Sequence, residues 1–227
     1  MHRIIPAGEN SIIIYFGDQI DPSLPEKIAF TANQLKQEFN HVIIDMIPSY
    51  ISLHISYHLT KTTHQNFCQQ VEKYLNQLKK SSIKPDSKLT QIPVYYHFDV
   101  GFDLARLLKE KQLNLENFIN IHSSKIYQVY AIGFSPAFAF LASVDKKICA
   151  PRLATPRIKI PAGSLGIADS QTAIYPSASS GGWNIIGRTP LDLSLTHTEN
   201  LKKFNIGDKV KFCSIGKDEY LANGGSL

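Results

Sequence analysis

The chain has 227 residues, 43% of them hydrophobic and 19% charged, so it can bury one large core or two modest ones. Its formal net charge is +5, but the basic residues are scattered and no basic stripe interleaves with aromatic residues, so we expect no nucleic-acid partner. The mild positive charge instead favours an anionic substrate or an acidic partner. No apolar run approaches the roughly 20 residues that span a bilayer, so we expect no membrane association.

The cysteines predict neither disulfides nor a metal site. Cys68, Cys149 and Cys213 are an odd number, lie far apart and form no C-x-x-C pair. The N-terminus lacks a charged segment followed by an apolar stretch of the kind that signals secretion. A reducing cytoplasm is therefore the predicted location.

The first third of the chain has the pattern of a small α/β domain. Two β-rich runs, 2–7 and 11–16, flank a Gly-Glu-Asn turn and predict a hairpin. Two further runs, 41–47 and 51–58, predict strands separated by Pro48. Helical spacing is seen at Ile28, Ala32, Leu35 and Phe39, and again at Phe67, Val71, Tyr74 and Leu78. The predicted order is ββαββα, a small sheet with two helices on one face.

A second domain is predicted to follow a linker. Residues 79–88, KKSSIKPDSK, are polar and contain proline, so we place one domain at 1–84 and the other at 85–227. A predicted strand, KLTQIPVYYHF, precedes two helical patterns, DLARLLKEKQ and NLENFINIH, the second with Asn114 as a candidate N-cap. The later segments YQVYAI, RIKIPAG, LGIAD, TAIYP, WNIIGR and KVKFCSI are short predicted strands, and together they favour a β-barrel.

Two features in the second half are candidates for function. His122 closes the second helical pattern, where a positive charge would complement the helix C-terminus, and a functional role is the alternative. The stretch YPSASSGGWNIIGR places the only tryptophan, Trp183, directly after Gly181 and Gly182 and five residues before Arg188. The glycines either shape a turn or let the backbone approach a ligand.

The segments YAIGFSPAFAFL (130–141) and APRLATPRIKIPAGSLGIADSQTAIYPSASSGGWNIIGRTP (150–190) resemble a known family. Its pattern reads roughly GFxPGFxYL, then PRxxxPRxxVPAGSVGIAxxQTGIYPxxSPGGWxxIGRTP. This is the family of the 5-oxoprolinase B subunit, allophanate hydrolase subunit 1 and a sporulation-kinase inhibitor, with carboxyltransferase C-and-D-type, cyclophilin-like domains. Looser matches such as VGFDLARL, which is similar to xGPDLxxV, extend the resemblance over most of the chain.

The resemblance implies an α+β fold: a small N-terminal ββαββα domain followed by a cyclophilin-like β-barrel domain. It also implies that the chain acts with two partners, the 5-oxoprolinase A subunit and the cyclophilin-like 5-oxoprolinase C subunit, and is inactive alone. That hetero-oligomer would hydrolyse 5-oxo-L-proline to L-glutamate with ATP hydrolysis. ATP would be used by the assembled complex, and this chain alone would bind no cofactor. A histidine-kinase inhibitor and allophanate hydrolase subunit 1 are the alternatives.

The residues quoted above supply candidates for substrate binding or for a subunit interface. Guanidinium groups bind carboxylates in a bidentate manner, which favours the arginines as substrate ligands. The candidates are His122, Phe134, Pro136, Arg157, Gln171, Tyr175, Gly181, Gly182, Trp183 and Arg188. No catalytic residue is assigned. The chain departs from the family pattern at Ala137, Ala173 and Ser180, where the pattern has glycine, glycine and proline.

Overall fold

The structure is a computed structural model that describes residues 2–78, 87–194 and 196–227. The chain separates into two compact units, Met1–Ser87 and Lys88–Leu227. The predicted boundary between residues 84 and 85, and most of the predicted linker, lie outside the described residues.

The first unit has the predicted ββαββα order. Its elements are β1 (Arg3–Gly8), β2 (Ser11–Tyr15), α1 (Leu24–Phe39), β3 (Ile43–Ser49), β4 (Ser52–Tyr57) and α2 (His64–Gln77). The strands form an antiparallel sheet in the order β1-β2-β4-β3. Alternate residues of the two central strands and one face of each helix are buried together: Ile12, Ile14, Ile28, Leu35, Leu53, Ile55, Phe67 and Val71.

The sequence predicted that Pro48 separates two strands. In the structure Pro48 lies inside β3. Proline has no N–H to donate to a neighbouring strand, which restricts it to sheet edges. Because β3 is an edge strand, its outer side needs no donor at that position. The chain turns instead at Tyr50 and Ile51, between β3 and β4.

The second unit contains nine strands, among the described residues, and three α-helices. The elements in chain order are β5 (Leu89–Val94), α3 (Leu104–Lys111), α4 (Leu115–Ser123), β6 (Ile126–Ile132), β7 (Ala139–Ala142), β8 (Arg157–Ile160), β9 (Ser164–Ala168), β10 (Gln171–Ile174), β11 (Ser179–Gly181), β12 (Asn184–Arg188), a 3-10 helix (Thr198–Lys202), β13 (Lys209–Ser214) and α5 (Lys217–Ala222). Every segment predicted as a strand contains one. The strands β7 and β11 and the helix α5 were not predicted.

Seven of these strands form one sheet in the order β12-β9-β10-β7-β6-β13-β5. The pair β13–β5 is parallel and the other pairs are antiparallel. Just beyond β5, Tyr95 pairs with Arg188 at the end of β12, with N–O distances of 2.9 and 3.0 Å. Because β5 and β12 are the two edges of the sheet, this pair makes it a nearly closed barrel, and the α+β fold class is confirmed. The strands β8 and β11 form a separate two-stranded sheet.

The helix α4 begins where the sequence predicted. The side-chain oxygen of Asn114 accepts a hydrogen bond from the backbone N–H of Asn117, at 2.8 Å. This bond satisfies one of the N–H groups that a helix start leaves without an intrahelical partner. The prediction of Asn114 as the N-cap is confirmed.

Candidate functional site

Five aromatic side chains from loops and strand ends of the second unit form a group that we call the aromatic cluster: Phe134, Phe138, Phe140, Tyr175 and Trp183. The Phe138 ring stands edge-on to the rings of Tyr175 and Trp183, with centroids 5.4 and 5.8 Å apart. Edge-to-face packing is favourable because the positive ring edge meets the negative ring face. Phe138, Tyr175 and Trp183 are buried, whereas Phe134 is 66% exposed. The cluster is therefore closed at its base and reaches solvent at Phe134.

The loop between β6 and β7 carries Phe134 in an uncommon backbone conformation. The φ angles are +70° at Phe134 and +64° at Ala137, in the left-handed region. The backbone N–H of Phe138 donates to the carbonyl of Ser135 at 3.1 Å and closes the turn. A residue with a Cβ atom in this region costs about 1–2 kcal/mol relative to its usual conformation. Ala137 thus takes a conformation suited to the glycine of the family pattern.

The two glycines before Trp183 have different roles. A Cβ atom on Gly181 would overlap the phenol oxygen of Tyr175 and lie 2.9 Å from Cδ1 of Ile160. A Cβ atom on Gly182 would make only ordinary contacts, the nearest at 3.6 Å from the carbonyl oxygen of Leu153. Gly181 therefore permits the buried phenol of Tyr175 to lie against the main chain, and this close approach is within the protein itself.

Two arginines lie next to the aromatic cluster. The guanidinium of Arg152 is 6.0 Å from the centroid of the Trp183 ring. Burial raises the pKa of Tyr175, against the opposing effects of a hydrogen bond from the Trp183 backbone N–H and the positive charges of Arg152 and Arg157. Arg157 lies opposite Gly181 in the β8–β11 pair, and Gly181 lies against the phenol of Tyr175. The combination of cations and aromatic faces suits a small anion that carries an apolar part.

Arg157 is held by a buried carboxylate. Its Nη2 atom lies 2.8 Å from Oδ1 of Asp103, whose side chain is only 5% exposed. The other carboxylate oxygen accepts the backbone N–H of Ile185 at 2.7 Å. The Nη1 atom of Arg157 is buried and has no hydrogen-bond partner among the described residues. An unsatisfied buried donor costs about 1–3 kcal/mol, so this atom is a strong candidate for a ligand contact.

Arg106 extends the same network along α3. Its Nη2 atom lies 3.8 Å from Oδ1 of Asp103 and also donates to the side-chain oxygen of Asn184, while its Nη1 atom pairs with Glu110 at 2.7 Å. Asn184 in turn donates to the carbonyls of Pro151 and Ile167. These contacts connect α3 to β12.

Arg188 lies apart from the aromatic cluster. It ends β12, whereas Trp183 immediately precedes the same strand. Its Nε donates to the carbonyl of Ala162 at 2.7 Å and its Nη1 to the carbonyl of Ser226 at 3.0 Å. It also lines a separate pocket of about 200 Å³ with Tyr220. Arg188 was a sequence candidate for substrate binding together with Arg157 and Trp183, and that role stays a prediction; β12 extends between Trp183 and Arg188.

His122 is buried and neutral, so the interpretation that its charge complements the end of α4 is wrong. Burial lowers its pKa to about 3. Thr172 donates its hydroxyl proton to the carbonyl of Gly166, at 2.9 Å, and therefore accepts from Nε2 of His122 at 3.1 Å. The Nδ1 atom then accepts from the hydroxyl of Tyr96 at 2.8 Å. Both ring nitrogens are hydrogen-bonded within the core, and neither of these bonds involves the aromatic cluster.

The remaining candidates occupy peripheral positions. Pro136 is exposed in the loop that carries Phe134. Gln171 is half-buried at the start of β10, opposite Ala142 and Ala168. Of the ten candidates, the structure brings together Phe134, Tyr175, Trp183 and the two glycines, with Arg157 close to Tyr175.

Sequence reasoning missed Asp103 and Arg152. Both stood in segments that resemble the family, VGFDLARL and APRLATPR, and this was the available signal. Their importance depends on contacts with residues distant in the chain, since Asp103 and Arg157 are 54 positions apart.

Two classes of site are not found in the described part of the chain. Over residues 2–78, 87–194 and 196–227, no group of three or more His, Cys, Asp or Glu side chains could hold a metal ion. No helix within those ranges is both long and apolar enough to cross a membrane. The three cysteines are free.

Comparison with known proteins gives matches over nearly the whole chain. Residues 2–201 match the family described as carboxyltransferase domain, subdomain C and D. The 5-oxoprolinase B subunit of Bacillus subtilis (strain 168) is 33% identical over 97% of this chain and 96% of its own length. The 5-oxoprolinase B subunit of Haemophilus influenzae is 31% identical over 94% of this chain and 98% of its own length.

Solved structures share the fold. The crystal structure of TTHA0988 has a TM-score of 0.78 and 28% identity, and the match covers 95% of this chain but only 40% of that one. The Kluyveromyces lactis urea carboxylase has a TM-score of 0.70 over 98% of this chain and 23% of its own. Its identity of 17% shows likeness of fold alone.

Proposed function

Because the chain belongs to the carboxyltransferase subdomain C and D family, we propose that it is the B subunit of an ATP-dependent 5-oxoprolinase. In this proposal it works with the A subunit and the cyclophilin-like C subunit of that enzyme to hydrolyse 5-oxo-L-proline to L-glutamate. The observation that carries the proposal is the end-to-end match to relatives named as 5-oxoprolinase B subunits. ATP is used by the assembled complex, in a cytoplasmic setting that suits three free cysteines.

The geometry of the second unit supports a substrate of this kind. 5-Oxoproline is a small anion with a five-membered lactam ring, so a site for it needs a cation and an apolar surface. Arg157 has a buried Nη1 atom without a partner among the described residues, and the aromatic cluster lies close by around Tyr175. We assign the substrate carboxylate to Arg157 and the ring to the face formed by Phe134 and Tyr175.

The surroundings of the aromatic cluster also support the proposal that this chain acts with partners. His122, the only histidine among the sequence candidates, is a buried neutral group with both nitrogens bonded. Phe134 at the open side of the aromatic cluster is exposed, as are Phe102 beside Arg157 and the neighbouring Ile158. Exposed apolar residues around a ligand site suit a site that another polypeptide completes.

Co-expression with the cognate A and C subunits tests the proposal. We expect a stable complex whose ATP hydrolysis requires 5-oxo-L-proline and is lost when this chain is omitted. The matched control is the same complex assayed with L-proline, which keeps the ring and carboxylate but lacks the lactam carbonyl. A stable complex without 5-oxoproline-dependent ATP hydrolysis would refute the proposal.

A further inference from the structure

Asp103 occupies the N-cap position of α3 but does not cap the helix. Aspartate is preferred at a helix N-cap because its carboxylate accepts backbone N–H groups of the first turn. Here the side chain makes no such bond. Its two oxygens are directed instead to Nη2 of Arg157 and to the backbone N–H of Ile185, at 2.8 and 2.7 Å. The carboxylate thus accepts its hydrogen bonds from residues outside its own helix.

The guanidinium of Arg157 is restrained on more than one side. Asp103 binds Nη2, and the ring of Phe102 has its centroid 5.8 Å from the guanidinium carbon. A guanidinium is planar, so fixing one nitrogen and one face also fixes the direction of the remaining N–H groups. The atom left over is Nη1, which is buried and has no partner among the described residues.

We infer that Asp103 is a positioning residue that orients Arg157 so that its Nη1 atom binds the carboxylate of a small cyclic amide acid. The inference rests on the proposed function and names the group through which the substrate anion is recognised. Asp103 itself does not touch the substrate. Its effect is transmitted by the ion pair, which holds the arginine in one orientation before the ligand arrives.

A purely structural role would have different consequences. Asp103 also joins α3 to β12 through the N–H of Ile185, so its loss would destabilise the second unit in either case. Only a positioning role predicts that a folded, assembled variant loses substrate affinity. An interaction made equally with substrate and transition state changes KM and leaves kcat nearly unchanged.

The test compares two substitutions within one network. In the reconstituted three-component complex, we expect Asp103→Asn to raise the KM for 5-oxo-L-proline about tenfold, with kcat within about threefold of the unsubstituted complex. Arg106→Gln is the matched control, because Arg106 contacts Asp103, Asn184 and Glu110 but not Arg157. It should leave KM within about twofold, while both variants lower the melting temperature.

Each outcome decides the inference. An unchanged KM for Asp103→Asn in an active complex, or an equal rise for Arg106→Gln, would overturn it. If Asp103→Asn does not assemble, Asp103→Glu is the second variant, because it retains the charge and displaces the carboxylate by one methylene. A raised KM in the assembled Asp103→Glu complex then supports the positioning role, and an unchanged KM overturns it. If the unsubstituted complex shows no 5-oxoproline-dependent ATP hydrolysis, the proposed function itself fails and the inference falls with it.

Discussion

The substitution Gly181→Ala should destabilise the second unit, whereas Gly182→Ala one position later should not. The new Cβ atom at 181 would overlap the hydroxyl of Tyr175 and lie 2.9 Å from Cδ1 of Ile160, and both side chains are buried. Forcing extra atoms into a packed core costs about 1–3 kcal/mol. Displacing the phenol also weakens its hydrogen bond from the Trp183 backbone N–H, a loss of about 0.5–1.5 kcal/mol.

A smaller effect opposes these losses. Replacing glycine by alanine restricts the unfolded chain, which stabilises by about 0.4–1 kcal/mol where the native backbone permits it. With each range taken at its midpoint, we expect a net loss of about 2 kcal/mol for Gly181→Ala. In a chain of this size this corresponds to a fall in melting temperature of roughly 4–8 °C. At Gly182 the nearest contacts are 3.6–3.8 Å, so the alanine variant should stay within about 0.5 kcal/mol of the parent.

The fluorescence of Trp183 provides the assay, because it is the only tryptophan and belongs to the second unit. Urea unfolding of both variants should be followed by this signal and by far-UV circular dichroism. Adding Tyr175→Phe to Gly181→Ala removes the atom that overlaps, and should recover part of the loss. Equal stabilities for the two alanine variants would refute the packing argument.

Three further predictions concern other parts of the second unit. Ala137→Gly should stabilise by about 0.5–1 kcal/mol in thermal unfolding, because φ is +64° there, and a destabilised variant would contradict the argument from left-handed strain. The pKa of His122 is lowered to about 3 in the folded state, so only the unfolded state binds this proton as pH falls below about 6.5. Stability should therefore be complete above that pH and decline by up to about 1.4 kcal/mol per pH unit below it. The decline between about pH 6.5 and 5 should be smaller in His122→Gln, and an equal slope would exclude His122 as its source. Arg188→Lys should lower stability by about 1–2 kcal/mol, since lysine cannot bond the carbonyls of Ala162 and Ser226 together, and an unchanged melting temperature with lost activity would instead indicate a ligand contact.

Most elements could be predicted because their signals are local. The helical spacing of Ile28, Leu35 and Phe39 needs no knowledge of distant residues, and neither does the capping side chain of Asn114. Pro48 was misplaced because the effect of a proline depends on whether its strand lies at a sheet edge. That property belongs to the arrangement of strands and has no local signal.

The candidate site was only partly predictable. The resemblance identified the segments that carry Tyr175, Trp183 and Arg157, and the structure shows these segments close together around the aromatic cluster. It gave no means to separate Arg157 from Arg188, since both are arginines in the same matching region. The two have different surroundings: a buried carboxylate for one and loop carbonyls for the other.

The sequence by itself determined most of the elements and their order, the α+β class and the family, because periodicity and motif are properties of neighbouring residues. The tertiary structure decided which polar groups contact each other. A strand advances about 3.3 Å per residue, so Trp183 and Arg188 at the two ends of β12 are held apart despite their short separation in sequence. The closing of the barrel and the start of α3 bring Asp103 to Arg157, 54 positions away. The buried carboxylate of Asp103, rather than residue type, distinguishes Arg157 from Arg188.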